Sequence, residues 1–444
     1  MSATPTPRAL MISAPASGQG KTSVTAAIAR HARRQGLRVR VFKTGPDYLD
    51  PMILARASGQ PVYQLDLFMG GLAHCQALLA QAAREADLIL VEGVMGLFDG
   101  APSSADLAAA FGLPVLVVLD AAAMAQTFAA LATGLARFRS DIRVAGVIAN
   151  RVGSDSHAAM LAEGLPADLP LVAAVRRLPE LSLPERHLGL VQALELPGLD
   201  AQLDAWACAW EAGCALGQGL AAAAQPVTLA TPAAADLGTP LAGRRIAVAD
   251  DACFSFIYPA NLDLLRQLGA EVLLFSPLTG QDLPPCDALW LPGGYPELHA
   301  TTLQQHPTLF ADLRSHLAAG KPLLAECGGM LVLADTLVDG QGRSHAMAGL
   351  LPGQATLQPR LTALGLQAIA WPEGELRGHT FHYSSLATPL APLAQASNPN
   401  ARPGRAGAHE ALYQQGSLRA SYIHHYFPSN PEAVAAFFLS PHHA

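Results

Sequence analysis

APASGQGKTSVTAAIARHARRQG, residues 14–36, decides how the first half of this chain folds. The apolar run ALMISA, Ala9 to Ala14, leads directly into it and reads as a strand buried on both faces. A turn of small residues follows, and Lys21, Thr22 and Ser23 then open an Ala-rich segment of helical length. Small residues let backbone N–H groups approach phosphate oxygens, and a helix N-terminus favours anions. Lys21 is placed to reach terminal phosphates, and Thr22 to hold magnesium. The usual phosphate-loop template has a glycine where this chain has Pro15, but the SGxGKT core is intact. The stretch therefore reads as a variant nucleotide-binding loop, with Ser17, Gly18, Gly20, Lys21, Thr22 and Ser23 as its binding residues.

Working outward, further strand-like runs span Val39 to Lys43, Leu88 to Glu92, Val115 to Asp120 and Val144 to Asn150, separated by longer Ala-rich segments. That alternation is the pattern of a parallel sheet flanked by helices, whose strand ends are where ligands bind. FKTGPDYLDP supplies Lys43, Asp47 and Asp50 at one such end, and ILVEGVMGLFDG supplies Glu92 and Asp99 at another. Any one of these acids alone is better read as a solvated turn residue. Several on one sheet edge facing a phosphate loop make a magnesium site, here Thr22, Asp47, Glu92 and Asp99. Asp47 is also expected to be catalytic in this half.

Between Gly217 and Gly243 the sequence turns to Ala, Pro and Thr without a clean period, which reads as a linker. The expected division is a first domain over 1–222, a linker over 223–243 and a second domain over 244–444. A second α/β pattern fills the rear half, with strands at Arg245 to Asp250, Glu271 to Ser276, Ala288 to Leu291 and Pro322 to Glu326. In LLAECGGM, Cys327 stands between a strand and the start of a helix, flanked by Gly328 and Gly329. A tight turn there exposes the sulfur, and the adjacent helix start lowers the thiol pKa, which suits a nucleophile. WLPGGYPE ends another strand with Gly293 and Gly294, and the N–H groups of Gly294 and Gly328 are the expected oxyanion hole. RASYIHHYFPSNP offers His424 and His425 as base, and neighbours on a strand face opposite ways, so only one reaches the thiol.

The chain has 444 residues, more than one core usually holds, and 51% hydrophobic against 14% charged residues fits a soluble globular protein rather than disorder. A net charge of -7 with no Lys/Arg run argues against nucleic acid. No apolar run reaches the about 18 residues of a membrane span, and MSATPTPRAL does not read as a signal peptide. Six scattered cysteines give neither a disulfide framework nor a zinc site, so a reducing, cytoplasmic setting is expected.

The variant loop, FKTGPDYLDP, YQLDLFMGG, VEGVMGLFDG, LPERHLGL, ACFSFIYPANLD, LPGGYPE, AECGGM, GHTFHYS and ASYIHHYF run from Ser13 to Phe427. In these motifs and their order the chain resembles the cobyrinate a,c-diamide synthases. The resemblance implies a P-loop NTPase-like, dethiobiotin-synthetase-like domain fused to a class I glutamine amidotransferase domain of flavodoxin-like α/β type. It implies ATP and L-glutamine as co-substrates, Mg2+ as cofactor and a corrinoid acid as acceptor. Glutamine would be hydrolysed through a thioester on Cys327, and ATP would activate the a- and c-acetate carboxylates as acyl phosphates for attack by ammonia. By motif match His424 is the base. Many amidotransferases of this fold orient that histidine with a Glu two positions on, where this chain has Tyr426. Motif position places Lys43, Tyr48, Leu49, Asp50, Arg186 and His187 near the macrocycle, while His382 and Tyr383 are read as packing.

A partitioning-type nucleotide switch shares the variant loop, but such proteins carry a signature Lys where this chain has Ala16, and have no use for a Cys-His module. Cobyric acid synthase and nickel-sirohydrochlorin a,c-diamide synthase combine the same two modules. The residues do not say whether the macrocycle holds cobalt, nor what the oligomeric state is, a homodimer being one option.

Overall fold

The computed structural model describes residues 7–178, 185–186, 189–227, 229–230, 232, 236–400 and 409–439. The chain divides into two compact units between residues 234 and 235, inside the segment read as a linker.

The first unit runs β1 (Arg8–Ser13), α1 (Lys21–Arg34), β2 (Val39–Thr44), α2 (Leu49–Ser58), β3 (Tyr63–Leu65), α3 (Gly71–Glu85) and β4 (Leu88–Glu92). It continues with α4 (Ser104–Phe111), β5 (Val115–Asp120), α5 (Gln126–Arg137), β6 (Val144–Val152), α6 (Asp155–Glu163) and β7 (Leu171–Arg176). The strands lie in the order β3-β2-β4-β1-β5-β6-β7, all parallel. Period-two alternation sets what each face buries: Ala9 and Met11 of β1 join a core with α3 to α6, while Leu10 and Ile12 pack under α1 and α2. The short strands β8 (Glu185–Arg186) and β9 (Gly189–Leu190) pair with each other, and α7 (Leu199–Cys214) brings Trp206 and Trp210 onto the α1 face. After α8 (Leu220–Ala223), β10 (Gln225–Pro226) pairs antiparallel with the start of β1, so the front of the expected linker belongs to this sheet. Strand order changes direction beside β1, and the loop leaving β1 opens at that switch point, where α/β sheets bind ligands.

The second unit begins β11 (Arg245–Ala249), α9 (Pro259–Gln267), β12 (Glu271–Phe275), β13 (Ala288–Leu291), α10 (Ala300–Gln304), α11 (Pro307–Ala318), β14 (Leu323–Glu326) and α12 (Gly328–Leu333). Two smaller sheets follow, built from β15 (Ala334–Val338), β16 (Ser344–Ala346), β17 (Leu351–Leu357), β18 (Ala363–Trp371), β19 (Gly374–His382) and β20 (Ser384–Ala387), with the later strand at His424–His425 joining β19. The chain then gives β21 (Ala394–Gln395), β22 (Ala411–Gln415), β23 (Leu418–Ser421), β24 (His424–His425) and α13 (Pro431–Leu439). The main sheet is ordered β12-β11-β13-β14-β23-β22-β21, parallel as far as β23. Its parallel part has the flavodoxin-like strand order. Cys327 thus leaves the carboxyl end of a central strand, between β13 and β23.

Candidate active sites

In the first unit, Gly18 and Gly20 have φ of +79° and +89°, conformations that side chains resist. A β-carbon on Gly20 would also lie 2.2 Å from Asn150 Nδ2. Gly20 caps α1 without a side-chain hydrogen bond, and no acid stands in the first turn, so the helix start keeps its N–H groups and positive dipole for an anion. Lys21 Nζ donates to the carbonyls of Ala16 (3.0 Å) and Met95 (2.7 Å), holding the ammonium across the loop. Burial and the neighbouring Lys43 lower its pKa.

Lys43 is next to last in β2 and is 2% exposed. Its Nζ donates to Asp50 and, at 2.6 Å, to Glu92 Oε1, and lies 3.3 Å from Asp47. Burial opposes that charge, but Asp50, Glu92 and Asp47 together outweigh it and hold the pKa well above the usual lysine value. Glu92 is fully buried: Oε1 also accepts the Thr22 hydroxyl at 3.0 Å, and Oε2 has no hydrogen-bond partner among the described residues. Asp47 Oδ1 accepts the N–H groups of Leu49 and Asp50 at the start of α2, while burial and Asp50 push its carboxyl up to about 7 against the pull of Lys43. Thr22, Asp47 and Glu92 are therefore brought together, with Asp50 beside them. The Lys43 ammonium stands in their midst, and among the described residues no group of three His, Cys, Asp or Glu side chains is placed to hold a metal ion by itself. Asp99 sits apart: its Oδ2 accepts the Gly96 N–H at 3.0 Å, and its charge acts on Lys21.

A cavity of about 520 Å³ adjoins the loop, lined by Gly20, Ser23, Asp120, Asn150, Arg176 and Trp206 among others. Gln19 ties its floor together, accepting the Asp120 N–H and receiving the Asn150 amide on its carbonyl, each at 2.9 Å. Arg151 in the same wall has φ +59°, uncommon for a residue with a side chain, and pairs with Asp120 at 2.6 Å. Asp120 ends β5 and Asn150 lies near the end of β6, strands that the sequence marks out. Trp206 comes from α7, which no motif singles out.

In the second unit, Cys327 has φ +43° and ψ -108° at the turn between β14 and α12. The turn closes because Gly328 and Gly329 have no side chains: a β-carbon on Gly329 would lie 2.1 Å from the Leu291 carbonyl, and one on Gly328 2.9 Å from Gly294 N. That same closeness brings Gly294 and Gly328 together. A β-carbon on Gly293 would lie 2.3 Å from His424 Cε1 and 3.4 Å from Cys327 Cβ, so the imidazole and the Cys327 side chain both stand against Gly293. His425 faces the other way, its Nδ1 2.8 Å from Glu326 Oε1 in a buried pair that also takes the Trp290 indole N–H.

The sulfur's setting differs from the sequence expectation. Cys327 is only 6% exposed, and burial, reinforced by Glu297, pushes its thiol pKa up rather than down. A helix of six residues is too short for its dipole to offset that burial. The position expected of an orienting carboxylate holds Tyr426, buried and edge-on to Tyr258 with centroids 5.3 Å apart.

Residues 10–191 match the CobQ/CobB/MinD/ParA nucleotide binding domain, and residues 245–432 match the CobB/CobQ-like glutamine amidotransferase domain. The hydrogenobyrinate a,c-diamide synthase of Pseudomonas aeruginosa is 59% identical over 433 residues, covering 98% of this chain and 97% of that protein. The chain belongs to the hydrogenobyrinate and cobyrinate a,c-diamide synthase family. Other relatives include the hydrogenobyrinate a,c-diamide synthase of Stutzerimonas stutzeri, 58% identical with 96% and 97% coverage. The cobyrinate a,c-diamide synthase of Herminiimonas arsenicoxydans is 52% identical, with 97% and 96% coverage. As a member of the diamide synthase family it is an ATP-dependent, glutamine-using amide ligase with nucleotide-binding and amidotransferase domains. The partitioning-type switch, which has no second module, is set aside by matches that run through both halves.

Other expected residues of this diamide synthase-family chain fall as follows. Ser17 and Gly18 lie exposed at the loop tip, and Ser23 lines the cavity. Tyr48 and Leu49 are buried where α2 begins. Arg186 belongs to β8, and His187 lies outside the described residues. His382 stacks on Tyr422 with centroids 3.6 Å apart and shares a hydrogen bond with Glu410 at 3.0 Å, a buried cluster that spacing alone could not reveal. No helix among the described residues is long and apolar enough to cross a membrane.

Proposed function

We propose that this enzyme amidates the a- and c-acetate carboxylates of cobyrinate or its metal-free analogue hydrogenobyrinate in the cytoplasm, using ATP and ammonia taken from glutamine. The observation that carries the reading is the apposition of Cys327 and His424 at Gly293, in a chain whose other half holds a phosphate-binding loop. His424 removes the thiol proton as the sulfur attacks the glutamine carboxamide carbon, and the N–H groups of Gly294 and Gly328 receive the oxyanion. The proton returns to the departing nitrogen, ammonia leaves, and water cleaves the thioester to glutamate. Because burial keeps the thiol protonated, proton transfer accompanies attack and does not precede it.

In the first unit a carboxylate is a poor electrophile, so the terminal phosphoryl group of ATP passes to an acetate oxygen and ADP departs. Ammonia then attacks the acyl carbon, and phosphate leaves with the former carboxylate oxygen. Lys21 reaches the terminal phosphates, Ser23 and Asn150 face the cavity beside them, and Lys43 offsets negative charge. Mg2+ suits this setting: Glu92 Oε2 is buried with its lone pairs unused, and Thr22 and Asp47 stand beside it. Those three residues would hold the ion, which would neutralise phosphate charge.

Cys327→Ser is expected to lose glutamine-dependent amidation and keep the ammonia-dependent reaction, whereas Lys21→Ala loses both by on the order of 10²-fold or more. Amides added to cobyrinate and hydrogenobyrinate are counted by mass, two being expected. A Cys327→Ser enzyme inactive with ammonia, or a Lys21→Ala enzyme active at the normal rate, contradicts the assignment.

A further inference from the structure

Tyr426 puts a phenol where an orienting carboxylate would be expected, yet His424 is held on a defined plane. Its ring lies face to face with that of His379, with centroids 5.0 Å apart and planes at 19°. The two residues oppose each other across β19 and β24, whose register pairs His379 with His424. The strands meet closely because the next position is Gly378, where a β-carbon would fall 2.1 Å from the His424 carbonyl oxygen. His379 is itself fixed: its Nδ1 shares a 2.9 Å hydrogen bond with the Tyr258 hydroxyl, both residues being buried. Phe256 closes another side of His424 at 5.9 Å.

From this arrangement we infer that His379, held by Tyr258, is the positioning residue that sets the plane of His424 at the Cys327 thiol. A stacked ring fixes orientation without supplying charge, unlike a carboxylate. The other groups acting on His424 are His382 and His425, with Cys327 across Gly293. Burial holds His379 neutral, its pKa lowered to about 3, so the ring offers a π face and not a second cation to an imidazole that must take up a proton. The inference rests on His424 being the base that serves Cys327.

The test measures glutamine hydrolysis and ammonia-dependent amidation by the full enzyme with ATP and cobyrinate. His379→Ala is expected to lower the glutamine-dependent kcat by on the order of 10²-fold, with KM changed less than about threefold and the ammonia reaction unchanged. Water then reaches His424, so the acidic limb of its kcat/KM profile moves to higher pH. His379→Phe keeps the stack and is expected to recover most of the rate at the wild-type pH profile. Tyr258→Phe, which removes one hydroxyl, falls between the two. A His379→Ala rate within about threefold of wild type overturns the inference, as does a His379→Phe enzyme no better than His379→Ala. So does a parallel loss of the ammonia reaction, which would assign His379 to folding alone. Failure of the wild-type enzyme to hydrolyse glutamine would instead remove the Cys327–His424 reading itself.

Discussion

Asp47 is a side chain whose charge changes close to neutral pH. Burial and the nearby Asp50 raise its carboxyl to about 7, and Lys43 only partly restrains the shift. An acid raised in this way is neutral below that pH and anionic above it. Only the anion can help hold a magnesium nucleotide, so Mg–ATP affinity should tighten by about tenfold from pH 6 to pH 8. Asp47→Asn should abolish that slope; titration calorimetry at the two pH values decides, and a slope that persists in the variant would exonerate Asp47. The acids around Lys43 were legible because Glu92 ends one recognisable strand and Asp47 and Asp50 follow close on another. The low exposure of Cys327 was not, since burial is set by what Leu291, Gly294 and Ser421 do around it, not by its own sequence neighbours. Nor was the stack on His424, which arises from the pairing of strands far apart in the chain.

Parallel strands were the most readable elements. Leu88–Glu92, Val115–Asp120 and Ala288–Leu291 have the limits that their apolar runs suggest, because a strand buried on both faces tolerates little else. Tyr63–Leu65 is too short to leave a pattern, and Leu171–Arg176 is diluted by alanine. The mostly antiparallel strands from Ala334 to Ala387 are half exposed and mix Gln, Thr and His with apolar residues, which blurs their alternation. Gln225–Pro226 joins β1 from within an Ala- and Pro-rich stretch because the pairing needs only backbone. The turn at Cys327 shows strain at the element scale. A positive φ there favours a residue without a β-carbon, so Cys327→Gly should be more stable than Cys327→Ala by about 1 kcal/mol. Urea midpoints of the two variants check this, and equal midpoints would mean that the turn is relaxed.

Across the whole molecule, each unit carries its own buried clusters on both sides of its own sheet. Calorimetry should therefore resolve two unfolding transitions, with Mg–ATP at a hundred times its Kd stabilising one of them by about 2.7 kcal/mol. Movement of both transitions together would show that the halves unfold as one. The enclosed sulfur also bears on how such an enzyme ages. Peroxides and other soft electrophiles consume thiolates, and a residue kept protonated behind its neighbours offers them little to attack. Between turnovers the protein guards its own nucleophile against oxidative wear, and the hour of danger is confined to the moments when an amino-acid guest draws the proton away.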